Sequence, residues 1–255
     1  MDPEPLPAAA PTTTLPARMI NILVSPGEVY EEVRASSYKG ENWHIPLFLG
    51  ALVAVLFVLV AFAQPAVVNN MIEAQIKAMD QQVAAGKMTA AQADTARDQM
   101  EKLRPMMANL GRIFGSVGAV IATFAFAFVA AFILWLLARY TLGTPVGYWR
   151  CMELVGLTQA IGILGTILTL FVVVYRGSLN SNLSPAMLVP GLEEGSVVFG
   201  LLSLLNPVYL WSAAVLALGL AILTGRSWGA VAARLFGVYA VVSLLGVLLG
   251  RMIQG

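Results

Sequence analysis

The chain has 255 residues, of which 58% are hydrophobic and only 11% charged, with a mean hydropathy of +0.79. A soluble domain carries roughly 25% charged residues, and one of this length has no interior large enough to hide so much apolar surface, so the composition excludes an ordinary soluble enzyme and implies a multi-pass membrane protein. The net charge of +1 and the single cysteine, Cys151, exclude a field that recruits nucleic acid, an internal disulfide framework and a cysteine-rich metal site.

Residues 1–17 hold five prolines and almost no large apolar side chains, which predicts a disordered tail. The stretch has no basic start and no apolar core, so it does not read as a signal peptide. Residues 18–43 read as two short amphipathic pieces. Met19, Ile20, Leu23 and Val24 form the first. Ser25-Pro26-Gly27-Glu28 then opens a second helix, with Ser25 as cap, Pro26 at the first helical position and Glu28 completing a capping box. Val29 and Val33 lie four apart on one face of that helix. Two such pieces ahead of a span are expected to lie in the headgroup region; a hairpin packed on the rest of the protein is the alternative.

Five stretches reach the length of about 20 apolar residues that crosses a bilayer: 46–63, 113–138, 154–175, about 199–223 and 231–249. In lipid each backbone amide must be satisfied within its own segment, so these are helices, and they lack the alternation of a barrel. Trp43 and His44 stand at the mouth of the first, where interfacial aromatics belong. Asn206-Pro207 interrupts the fourth, which predicts a separate short segment ahead of a main helix from Pro207 to Leu223.

Between the first two spans lies a polar insert, 65–111, rich in Ala, Gln and Met and helix-favouring throughout. Gly86 interrupts it and Thr89 with Gln92 forms a capping box that restarts it. The expected structure is a helical hairpin turning at Gly86-Lys87-Met88, with Ile72, Ile76, Met79 and Val83 facing Ala93, Ala96, Met100 and Leu103. Its methionines suit either this internal packing or a binding face.

Basic residues in the short loops, Arg139, Arg150 and Arg226 on one side against Arg176 with Glu193 and Glu194 on the other, favour a cytoplasmic N-terminus and a C-terminus across the membrane. The insert opposes this with Lys77, Lys87, Arg97, Lys102, Arg104 and Arg112, but a long polar segment translocates despite its charge. Abundant arginine and alanine suggest a GC-rich, bacterial source and hence a bacterial cytoplasmic membrane.

Chemistry is sparse. His44 is the only histidine, which leaves no zinc site of the usual spacing and no triad. No nucleophile elbow, phosphate-binding loop or intramembrane carboxylate pair occurs, so no catalytic, cofactor-binding or metal residue is expected. Ionisable groups at span ends are Glu153, beside Arg150, and Arg234, both close enough to the interface to snorkel or to pair. Thr158, Gln159, Asn206 and Ser243 add polarity without charge. Small residues mark the expected helix-packing positions: Gly162 and Thr166 in the third span, Gly219 in the fourth, and the Gly246–Gly250 pair, one turn beyond Ser243, in the fifth. Val58 is expected to face lipid. Pro26, Trp43 and Trp211 are the expected interfacial residues.

This order of segments resembles the YIP domain family of five-span membrane proteins. The resemblance rests on INILVSPGEVYEEV ahead of NWHIPLFLGAL, on LGTPVGYWRCMELVGLTQAIGILG, and on LNPVYLWSAAVLALGLAILTGRSWGAVAARLFGVY, in which Trp211 begins the fourth span, Gly219 follows two turns on and Gly225 marks the turn into the fifth. The insert at 65–111 departs from the eukaryotic members, named for their interaction with Rab-type GTPases, and is similar to bacterial ones. The resemblance implies an all-α bundle of five transmembrane helices. The expected function is non-enzymatic, through contact with the bilayer, a membrane-protein partner or a second copy, as a scaffold or complex subunit; a permease or channel component is the alternative.

Overall fold

The computed structural model describes residues 13–189, 191–192 and 196–254, with side chains described as far as Val247. Most of the Pro-rich tail, residues 1–12, and the side chain of Gly250 thus lie outside the described residues. Nine α-helices and no strand occur among the described residues: α1 (Leu15–Val24), α2 (Pro26–Ala35), α3 (Glu41–Ala61), α4 (Pro65–Ala84), α5 (Ala90–Leu136), α6 (Tyr148–Arg176), α7 (Val197–Ser203), α8 (Pro207–Thr224) and α9 (Trp228–Gln254). Five of them, α3, α5, α6, α8 and α9, are long and apolar enough to cross a membrane, and together they form the expected multi-pass bundle.

Local chemistry sets many of the boundaries. Thr89 and Gln92 form the capping box that starts α5. Asn206 caps α8 by accepting a hydrogen bond from Val208 N, and Pro207 occupies its first turn, so the fourth apolar stretch divides into α7 and α8 at that point. Gly86, at φ +69°, makes the hairpin turn between α4 and α5 that the sequence places there. Pro26 likewise opens α2, but Ser25 makes no side-chain cap hydrogen bond, so the predicted box at that point does not form. The chain instead bends sharply from α1 into α2, with Ser25 N donating to Asn21 O.

The two helices of the insert differ from each other. α4 is a separate element, whereas α5 runs unbroken through Pro105 into the second span. At 47 residues and about 1.5 Å per residue, α5 is roughly 70 Å long, more than twice the thickness of a bilayer core. The facing residues come close to those expected, with Ile72 and Ala93 buried and Ile76, Met79, Val83, Ala96 and Met100 partly so; Leu103 is exposed.

α6 is the centre of the bundle. Every residue from Cys151 to Ile161 is buried except Gln159, which is partly so, because α3, α5, α8 and α1 all pack on this helix. The tightest approach to another helix's backbone is at Gly156, where an added Cβ would collide with the backbone of Trp43 and Asn42. At Gly165 it would collide with Val208, and at Gly219 it would lie 2.7 Å from the Tyr30 ring. Val58, expected to face lipid, sits against Gly115 of α5 instead, where an added Cβ would come within 2.9 Å of it.

Candidate functional site: a buried polar cap

The short helices α1 and α2 fold back onto one end of the bundle. Their shared apolar face, Ile22, Val29, Tyr30 and Val33, joins the main core rather than a lipid surface. This is the packed-hairpin alternative of the sequence reading; what remains outward on α1 is Ile20 and Val24, 65% and 75% exposed. α1 starts at Leu15, three residues ahead of the expected boundary, and Pro26 is partly exposed at the bend.

Beneath these helices lies a chain of charged and polar side chains. Arg18 of α1 and Glu153 of α6 are both buried, at 1% and 0% exposed. Arg18 Nη2 donates to Glu32 Oε1 at 2.6 Å, and Nη1 donates to Asn42 Oδ1 at 3.0 Å. Asn42 Nδ2 in turn donates to Glu153 Oε1 at 2.8 Å, where Lys39 N also donates at 2.9 Å. Arg150 Nη1 donates to the second oxygen, Glu153 Oε2, at 2.8 Å. The same guanidinium donates to Val33 O at 3.1 Å and to Ser36 O. It therefore caps the open carbonyls of α2, the end of a helix where a cation is favoured. Two cations and two anions balance, and Asn42 links them, so α1, α2, α3 and α6 are tied through one network. Arg234, the other charged candidate, takes no part; it is exposed and donates to Ala230 O of its own helix.

One turn deeper, Thr158 Oγ1 donates to Leu154 O at 2.7 Å. Its proton is thus committed, which makes Tyr30 OH the donor in the 2.6 Å contact between them. Burial pushes the Tyr30 phenol well above its ordinary pKa, a shift this hydrogen bond only partly offsets. For Glu32, burial acts upward, but the hydrogen bonds and charge from Arg18 and the bonds from Thr13 outweigh it, and the carboxyl is held below its ordinary value.

Aromatic side chains ring this end. Trp43 stacks on Trp149 with centroids 5.7 Å apart, meets Phe128 and His44 edge-on, and donates from Nε1 to Tyr38 OH at 2.8 Å. Trp211 lies elsewhere, partly buried against the core in the first turns of α8.

The other expected packing positions stand apart from the cap. Gly162 and Thr166 are partly buried farther along α6 and bond to each other, Thr166 Oγ1 donating to Gly162 O at 2.9 Å. A Cβ at Gly162 would touch only Gln159 of the same helix, at 3.4 Å. At Gly246 it would meet nothing within 4 Å, so no helix of this chain's described residues occupies that groove. The sequence reading passed over Arg18, Asn42 and Gly156, which join α1, α2, α3 and α6 here. Glu153 was visible as an ionisable group at a span end. Its four-residue neighbourhood with Arg150 was the one local signal, because its other partners lie more than 100 residues away in sequence.

In the cap both carboxylates are satisfied, whereas Arg18 Nε is buried without a hydrogen-bond partner. Glu153 accepts three hydrogen bonds, and no group of three potential metal ligands occurs among the described residues. Such an arrangement holds helices together.

A family model described as the Yip1 domain matches residues 20–250, nearly the whole bundle together with α1 and α2, and the chain belongs to that family. No curated protein and no solved structure matches it.

Proposed function

From membership of the Yip1 family, we propose that the protein works without covalent chemistry, as a membrane scaffold or the subunit of a larger membrane complex. Its N-terminal cap stands on the cytoplasmic face and its helical hairpin on the other, in a bacterial cytoplasmic membrane. The observation that carries this reading is the distribution of polarity. The fully buried charges, Arg18 and Glu153, are gathered and paired at one end, while Leu157, Ile161, Ala217 and Leu220, all fully buried, belong to the apolar core of the bundle. A permease needs polar groups along its path, and this interior supports a packed structural element instead. The cap then supplies a rigid surface, with exposed Ile20 and Val24 on α1 and the Trp43–Trp149 stack at the same end of the bundle for contact with the interface. Gly246 and the outward face of α9 are the positions offered to a second membrane protein or a second copy.

Lysine-directed crosslinking and mass spectrometry in the native membrane tests this. Lys39 beside the cap and Lys77, Lys87 and Lys102 on the hairpin provide handles on the two faces. Recurrent crosslinks to one membrane protein or to a second copy are expected. Absence of such crosslinks, together with solute flux by the purified chain in liposomes, would establish the permease instead.

A further inference from the structure

At the opposite end of the bundle from the cap, α5 passes from polar to apolar at Arg112. Immediately beyond it Ile113, Phe114 and Val117 are exposed, as on a helix face that lipid covers. The α3–α4 elbow lies at the same level, because Arg112 Nη2 donates to Phe62 O at 3.2 Å. Between elbow and helix is a cleft of about 270 Å³, lined by Phe62, Pro65, Val68, Asn69, Arg104 and Arg112 among others.

The two arginines lie eight residues apart, on nearly one face of α5. Arg104 donates to Asn69 Oδ1 at 3.1 Å and only weakly, at 3.4 Å, to Glu101. Arg112 makes no ion pair among the described residues. Its Nη1 reaches only Asn109 Oδ1, at 3.4 Å, and its Nε is buried with no hydrogen-bond partner. A guanidinium partly withdrawn from water without a counter-ion is costly. Its planar fork matches a phosphate, and basic pockets beside spans are where headgroup phosphates bind.

We propose that this cleft binds a phosphate group, with Arg112 as its principal ligand and Arg104 at its outer rim. Free phosphate and a phospholipid headgroup share this chemistry. The position at the apolar boundary, with Phe62, Pro65 and Val68 in the lining and exposed apolar side chains below, favours the lipid.

The test is native mass spectrometry of the full chain in detergent, titrated with phosphatidylglycerol, with and without inorganic phosphate. Arg112→Gln and Arg104→Gln should each weaken lipid retention, the former by roughly tenfold, the scale of one lost charge-assisted contact. Arg97→Gln, at the exposed hairpin tip, should leave retention unchanged. Lipid binding that inorganic phosphate does not displace identifies the headgroup; displacement by inorganic phosphate identifies a soluble ligand at the same phosphate site. Arg104 is a surface residue, so its variant reports on binding even where Arg112→Gln fails to fold. Retention equal to the unmodified chain in the folded arginine variants, with no binding of inorganic phosphate, would overturn the proposal.

Discussion

The two ends of this molecule use similar residues to opposite effect. At the hairpin, Arg97 pairs with Asp80 and Asp94, and Arg104 with Glu101, all between exposed side chains. Exposed pairs of this kind contribute about 0–1 kcal/mol each. At the cap, Arg18 and Glu153 are fully buried and every link depends on the next. The helices differ in the same sense. α1 and α2 have 10 residues each, too few to persist alone in water, yet they are anchored by core side chains. α4 and the outer part of α5 are long and helix-favouring but bury little beyond Val67, Val68, Ile72 and Ala93. Stability at the cap is tertiary; at the hairpin it is largely intrinsic to the helices.

The strongest way to break this contrast is Glu153→Ala. It leaves Arg150, Asn42 Nδ2 and Lys39 N without their shared acceptor, and removing one partner of a buried ion pair costs about 3–5 kcal/mol. The expected outcome is a large drop in unfolding midpoint in detergent, whereas Asp80→Ala at the hairpin should shift it little.

A smaller effect is expected at Gly156. Even the methyl of Ala would strike the Trp43 backbone, so α3 and α6 must move apart, at a cost of about 1–3 kcal/mol. Gly246→Ala, with open space around it, should be close to neutral in the isolated chain. Paired thermal melts of the two variants measure the difference.

The smallest effect sharpens the comparison through pH. Glu32 has its carboxyl held below the ordinary value of 4.5. Its folded state therefore gains stability while the carboxylate is ionised, and loses it as pH falls from about 4.5 through the lower folded value. Melting midpoints should decline over that acid range, and Glu32→Gln should show less of the decline.

How much of this was legible in the sequence divides along the same line. The spans, the break at Asn206-Pro207, the turn at Gly86 and the Thr89–Gln92 box are local, set by composition or by residues within a few positions, and were readable. The cap was not. Arg18 looks like one more surface arginine until Asn42 and Glu32 are brought to it, and an amphipathic helix reads the same whether its apolar face meets lipid or protein. Small residues posed a similar problem. Spacing alone does not tell which face of α6 receives a helix, so Gly162 drew attention while the backbone contact fell at Gly156. Gly219 does meet a long span, through Leu154 of α6, but it meets Tyr30 of α2 as closely.

The central claim is that α1 and α2 are locked into the bundle and do not float on the membrane surface. Amide hydrogen exchange of the full chain in lipid nanodiscs measures this directly. Peptides covering 26–35 should be protected to a degree approaching those of central α6, and far more than peptides of α4 near 75–84. Exchange in 26–35 as fast as at the hairpin tip would mean that the cap opens freely, and would contradict the claim.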